Sequence, residues 1–237
     1  MLKILRFFIS IIIWIFFWIN ATFSITLLIL ISFVIPKKLY NPIIVCVCKF
    51  LMYSIFIFPK YKGLKKNLVN FPVIYVANHV TFFDLFICGS VLPGYPRGLE
   101  LKSHFEKPIY GWFITRFGEI PLDTKNRESI RSSFNAMTDI LKNKVRSILI
   151  MPEGTRTRDG KLREFKYGAF HLSRLSGVPI VPVVFKRLYQ RNNPNSLLIN
   201  PGSFDVYIMD EVSPKDFESD ESMCEFVRNI MAKQLEE

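Results

Sequence analysis

The first 70 residues of this 237-residue chain contain no aspartate and no glutamate, yet they hold nine basic residues: Lys3, Arg6, Lys37, Lys38, Lys49, Lys60, Lys62, Lys65 and Lys66. The other 22 of the 31 lysines and arginines face all 20 acidic residues, so +9 of the formal +11 charge sits in this first part and +2 in the rest. A nucleic-acid-binding protein carries its basic stripe on the folded domain. Here the excess brackets apolar runs, as it does beside anionic lipid. The imbalance excludes a nucleic-acid partner and points to a membrane surface.

From Phe7 to Ile35 there is no charge, no proline and no glycine. At about 1.5 Å per helical residue this run exceeds the ~30 Å of a hydrocarbon core, so it reads as a helix in the membrane. Lys3 and Arg6 resemble the start of a signal peptide, but the run is too long and no small-x-small cleavage site follows it. A second apolar stretch, Leu39 to Phe58, opens with Asn41-Pro42, which reads as an N-cap and first-turn pair, and carries Lys49 near its middle. A lysine at mid-bilayer costs about 3 kcal/mol, so this stretch is either a second span or a helix at the interface with Lys49 snorkelling. Basic residues flank both ends of the first run, which leaves orientation open. The four cysteines, Cys46, Cys48, Cys88 and Cys224, lack zinc spacing and lack a two-residue redox gap, so they read as reduced thiols of a cytoplasmic compartment. Repeats and low-complexity segments are absent.

The expected organisation is a membrane-embedded helical segment over residues 1–60 and an α/β domain over 61–237, joined by the basic link Lys60 to Lys66. β-rich runs predict strands at Val73–Ala77, Gly98–Lys102, Glu119–Leu122, Ser147–Met151, Ile180–Phe185 and Asp205–Met209. Ile130, Phe134, Met137 and Leu141 recur at helical spacing, and Lys166–Leu175 and Phe217–Leu235 read as further helices. Strands alternating with helices predict an α/β fold, a mixed sheet covered by helices on both faces, with reactive loops at strand ends.

Histidine is scarce: His79, His104 and His171 are all there is. His79 follows the first strand in Asn78-His79-Val80-Thr81-Phe82-Phe83-Asp84, with a carboxylate five residues on. Thr81 to Asp84 also fits a capping box, in which Asp84 is simply a helix start. The two readings are compatible, because His79 on the loop before the helix could give one ring nitrogen to Asp84 and keep the other for substrate. Met151-Pro152-Glu153-Gly154-Thr155-Arg156-Thr157 follows another strand and reads either as a surface turn or as a phosphate cradle of backbone amides with Arg156. Gly111-Trp112-Phe113-Ile114-Thr115-Arg116 reads as an arginine stacked on its aromatic neighbours. Val178-Pro179-Ile180-Val181-Pro182-Val183 puts two prolines in an apolar strand, which suggests an edge or a pocket wall. His104 and His171 have no carboxylate at the spacing of the His79 pair, and neither is assigned to catalysis.

These four blocks, N-H-x4-D, G-x-F-I-x-R, P-E-G-T-R and V-P-I-V-P-V, in this order over about residues 60–190, resemble the glycerolipid acyltransferase family and its lysophosphatidic acid branch. The resemblance implies acyl transfer from acyl-CoA or acyl-acyl carrier protein to the free hydroxyl of a membrane lysophospholipid, with no metal and no cofactor beyond the thioester co-substrate. It implies that His79 is the base and Asp84 orients it. Glu153, Gly154, Thr155 and Arg156 would form one acceptor-binding block, Gly111 and Arg116 the other, with Lys102 as a further phosphate contact. Backbone amides at the start of the helix after His79 are the nearest donors for an oxyanion. The implied location is the bacterial inner membrane, with the catalytic domain on the cytoplasmic side. The alternatives are the same chemistry on glycerol-3-phosphate or another lysolipid, and a membrane lipid-binding protein without catalysis.

Overall fold

The computed structural model describes residues 2–36, 39–62, 72–94 and 96–237. The chain begins with two apolar helices, α1 (Leu2–Ile31) and α2 (Tyr40–Ser54). An alternation of strands and helices follows: β1 (Ile57–Lys62), β2 (Ile74–Ala77), α3 (Asp84–Val91), β3 (Arg97–Leu101), α4 (Tyr110–Phe117), β4 (Ile120–Leu122), α5 (Arg127–Lys142), β5 (Ile148–Ile150), α6 (Gly168–Ser176), β6 (Ile180–Lys186), β7 (Gly202–Ile208) and α7 (Asp220–Glu236). The strands form one seven-stranded sheet in the order β1-β7-β6-β2-β5-β3-β4, parallel throughout except between β6 and β7.

All six expected strands form, and helices cover both faces. Side chains alternate across the sheet because strand residues point to opposite faces in turn. Tyr75, Ala77, Val181 and Val183 pack with Phe17 of α1 and Phe83 before α3 on one face. Ile74, Val76, Ile150 and Val184 pack with α5, α6 and α7 on the other. The seventh strand, β1, was not foreseen. Pro59 and two lysines, Lys60 and Lys62, disguise it, yet both residue types are suited to an edge, where a missing N–H is harmless and charge discourages further pairing. Thus β1 straddles the boundary expected at residue 60, and the remainder of the basic link, including Lys65 and Lys66, lies outside the described residues.

The proline-bearing β6 is not an edge strand, contrary to the expectation: it is hydrogen-bonded to β2 on one side and β7 on the other. Pro182 lies one step past the end of β7, where the pairing is interrupted: its carbonyl accepts from Met209 N–H at 2.9 Å, and the next exchange of bonds is between Ile180 and Val212, so the missing donor falls at the break. Asn41 is not an N-cap either. It lies inside α2, behind the cap position Leu39, and its amide donates to the Gly94 carbonyl at 3.3 Å.

Residues Ile4–Ile31 are long and apolar enough to cross a membrane, whereas α2 is a shorter apolar helix that leaves Lys49 exposed. Only one stripe of α1 is covered by protein, running through Ser10, Ile13, Phe17, Ala21, Ile25 and Leu28. The rest presents large apolar side chains, among them Phe8, Ile12, Phe16, Ile19 and Phe23, outward. Polar contacts accompany the covered stripe from end to end. Arg6 donates to Asn200 at 2.6 Å, Trp14 Nε1 to the Leu197 carbonyl at 2.8 Å, and Arg116 reaches the Ser32 carbonyl at 2.8 Å just beyond the helix. The α/β part therefore lies alongside α1 over its whole length.

Phe17, fully buried, is the centre of this contact, with its ring 5.0 Å from that of Phe83 and 5.5 Å from that of Phe86. Phe17→Ala is expected to cost about 3–5 kcal/mol, read as a lowered thermal midpoint of the detergent-solubilised full chain. Phe16→Ala, on the exposed side of the same turn, should leave the midpoint nearly unchanged.

Candidate active site

In an open α/β sheet, reactive groups collect beyond the carboxyl ends of the parallel strands. Asn78 and His79 leave β2 at that edge. Asn78 continues the ladder with its side chain: its Oδ1 accepts from Phe185 N–H at 2.8 Å and its Nδ2 donates to the Phe185 carbonyl at 3.2 Å. The backbone is thereby released from β6 while the residue stays anchored to it.

His79 is three-quarters covered, and its Nδ1 lies 2.6 Å from Oδ2 of Asp84, a carboxylate with only 2% of its side chain exposed. The same carboxylate accepts from Val80 N–H at 2.6 Å and from Thr81 N–H at 3.0 Å. A buried anion surrounded in this way is held in place, and a ring bonded through Nδ1 has Nε2 left for other chemistry. Half of the expected capping box is present, since Asp84 reaches back to Thr81 N–H. The Thr81 hydroxyl accepts from Phe83 N–H at 2.8 Å rather than from Asp84, and the helix begins at Asp84 itself. The amides of Val80, Thr81 and Phe83 are thus spent inside the turn.

Glu153, in the loop after β5, is buried and linked to the same unit. Its Oε1 accepts from the backbone N–H of His79 at 2.7 Å and its Oε2 from that of Arg163 at 2.9 Å, while Thr157 N–H donates to the His79 carbonyl at 2.9 Å. Burial pushes the Glu153 carboxyl above its ordinary value, and the two N–H groups pull it back. With both oxygens on backbone donors, Glu153 serves as a brace between loops. The amide of Gly154, expected in a phosphate cradle, closes the turn by donating to the Met151 carbonyl at 3.0 Å. Glycine suits this position because its φ is +67°, in the left-handed region that side chains with a Cβ disfavour. Thr155 accepts from Arg163 Nη1 at 2.9 Å, and Arg156 is exposed on the same loop. Lys102 is exposed at the end of β3, in a 3₁₀ turn spanning Lys102–His104.

Arg116 is turned away from this edge. Arg116 donates to Ser32 Oγ at 2.9 Å and to the Ser32 carbonyl, and its guanidinium lies 4.5 Å from the ring of Phe33, so it caps the end of α1 rather than stacking on Trp112 or Phe113. Ser32 is fifteen residues beyond Phe17, which touches Phe83 beside the dyad, roughly 22 Å along the helix. Gly111 allows α4 to approach a neighbouring turn, for a Cβ there would lie 2.2 Å from the Phe105 carbonyl oxygen.

The other two histidines also have carboxylate partners through Nδ1, Glu100 at 2.7 Å for His104 and Asp220 at 3.0 Å for His171. Neither carboxylate is gripped by backbone N–H groups of its own turn. Glu100 is shared with the Tyr110 hydroxyl and Asp220 with Arg174.

A family model described as Acyltransferase matches residues 59–186, more than half of the chain and all of the elements just described around His79. The chain belongs to the acyltransferase family. It is 32% identical over 73% of its length to the 1-acyl-sn-glycerol-3-phosphate acyltransferase of Saccharomyces cerevisiae, and 30% identical over 69% to that of Salmonella typhimurium. These alignments span 58% of the yeast relative and 67% of the Salmonella one. The acyltransferase fold is shared with the crystal structure of the 1-acyl-sn-glycerophosphate acyltransferase PlsC from Thermotoga maritima. The TM-score is 0.85, over 98% of this chain and 96% of that one, at 22% identity.

Asn78 and the bracing use of Glu153 were not apparent in the sequence. Glu153 lies 74 residues from the histidine it supports, and no local spacing announces such a contact. Glu153→Gln puts an amide NH₂ against one of two buried N–H donors. A loss of about 1–3 kcal/mol in unfolding free energy is expected, and wild-type stability of this variant would remove the brace.

Proposed function

We propose that the chain transfers a fatty acyl group from an acyl thioester, acyl-CoA or acyl-acyl carrier protein, to the free hydroxyl of 1-acylglycerol-3-phosphate, giving phosphatidic acid. The observation that carries this reading is the His79–Asp84 pair at the carboxyl end of β2, its carboxylate gripped by backbone N–H groups and its ring partly exposed. The names of the yeast and Salmonella relatives supply the acceptor.

Nε2 of His79 removes the acceptor hydroxyl proton as the oxygen bonds to the thioester carbonyl carbon. The tetrahedral intermediate then collapses, the carbon–sulfur bond breaks, and the departing thiolate takes the proton from Nε2. Each turnover yields one ester and one free thiol and returns the imidazole to its starting state. Asp84 holds Nδ1–H, which fixes the tautomer and stabilises the imidazolium formed on the way. Lys102 and Arg156 are the phosphate contacts in this reading. They follow β3 and β5, strands roughly 10 and 5 Å across the sheet from that of His79, and Thr157 N–H, next to Arg156, donates to the His79 carbonyl. Such a spacing suits an acceptor whose hydroxyl and phosphate are a few ångströms apart.

The lie of α1 supports a location in one leaflet. A helix spanning upright would carry the adjoining α/β part and its polar contacts into hydrocarbon, where unsatisfied polar groups are costly. Embedded on its exposed apolar side, α1 instead places the dyad at the level of lipid headgroups. The cytoplasmic side of a bacterial inner membrane is where both acyl donors are made available.

His79→Ala is expected to abolish acyl transfer to lysophosphatidic acid while the protein stays folded and membrane-bound, and near-native turnover would sink the mechanism. Arg156→Ala should raise the acceptor KM by about tenfold, the loss of one charge-assisted contact, and leave the donor KM alone. Both are measured with purified protein against a panel of lysolipids, with acyl-CoA and acyl-acyl carrier protein tested separately. Equal use of acceptors without phosphate would reject the phosphate assignment.

A further inference from the structure

Behind the loop that carries Glu153 and Arg156 lies an open groove of about 570 Å³ that the chemistry at His79 does not use. Its wall is cationic: Lys161, Arg163, Lys166 and Arg228 line it. Among the described residues none of the four is ion-paired. Three carboxylates share that wall, and two of them are tied down by hydrogen bonds without losing their charge. Glu153 has both oxygens on backbone N–H groups, and Asp159 is turned into its own loop, accepting from Lys161 N–H at 3.0 Å and from the Thr157 hydroxyl at 3.1 Å. With Glu164 as the third carboxylate, four cations face three anions, a formal excess of one positive charge, to which Arg158 adds another from the adjoining loop.

The groove is also held in shape. Arg228 donates through Nε to the Arg163 carbonyl at 3.2 Å, tying α7 to the loop, and Lys166 N–H donates to the Pro152 carbonyl at 2.9 Å. It is joined to the dyad by one carboxylate, because Glu153 holds the N–H of Arg163 with one oxygen and the N–H of His79 with the other. A preorganised cluster of cations one residue removed from the base suits a polyanion attached to the reacting group by a flexible arm.

We infer that this groove receives the phosphate groups of the acyl donor, the phosphopantetheine phosphate common to coenzyme A and acyl carrier protein, while the thioester reaches back to His79. The assignment rests on the acyl-transfer reading above and adds the donor's position to it. It separates the two anionic substrates, with the acceptor phosphate on the Lys102 and Arg156 side and the donor phosphates behind the Glu153 loop.

The test compares wild type with Lys161→Glu and Arg228→Gln, each as the full chain in detergent, using acyl-CoA, acyl-acyl carrier protein and acyl-pantetheine, which has the thioester arm and no phosphate. Lys161 is exposed, so its variant folds even if loss of the Arg228 contact loosens α7. The expected result is a donor KM raised about tenfold or more for a phosphorylated donor, with acyl-pantetheine and the acceptor moving less than about twofold. Whichever phosphorylated donor responds identifies the source of the phosphate. An unchanged KM for both, or an equal rise with acyl-pantetheine, overturns the assignment. Calorimetric binding of coenzyme A, and of the phosphopantetheinylated carrier protein, to the same variants decides the groove independently of turnover. Wild type that binds one of them more tightly than Lys161→Glu but transfers no acyl group upholds the groove and rejects the enzymatic reading, whereas equal binding of both by the two proteins rejects the groove.

Discussion

The carboxylate of Asp84 is the point from which the site is built. A buried anion is tolerated only when its lone pairs are met, and here they are met from within the same short turn, by Val80 N–H, Thr81 N–H and Nδ1 of His79. The turn cannot unwind without exposing the charge to an apolar surround, and the charge cannot be buried without the turn. The orientation of His79 is a by-product of this mutual dependence. The imidazole is the third donor to an oxygen atom that the backbone has already immobilised.

Burial of that anion depends in turn on aromatic packing. Phe83, the residue before Asp84, is stacked on Trp14 with ring centroids 5.0 Å apart and meets Phe17 edge-on, so α1 forms the wall that keeps water from the carboxylate. Glu153 fixes the opposite side through the backbone of His79. The base is thereby held between a helix from the start of the chain and a loop from its middle, and neither contact involves the reactive face of the ring.

What could be read beforehand was what local chemistry determines. Alternating and β-branched runs located six strands, and five residues of spacing across a strand-to-helix turn allowed His79 to meet Asp84, a pairing that the family resemblance then selected. Features set by distant contacts were not legible. Pro182 looked like an edge residue because its tolerance depends on where β7 stops, and β1 was masked by the proline and lysines that suit it to an edge. Arg116 and Gly111 occur in a block associated with the acceptor, yet their surroundings belong to the end of α1 and to the turn at Phe105. Glu153 likewise occurs in a substrate-associated block, and only the tertiary structure reveals that both of its oxygens are occupied.

The uneven dressing of α1, protein along one stripe and bare hydrocarbon elsewhere, gives the molecule a layer that its own chain does not supply. Two helical layers enclose the sheet, and the outward side of α1 leaves one of them apolar and uncovered. One side of this helix is the wall beside Asp84 and the other is bare, so whatever covers the bare side bears on the site through a single backbone.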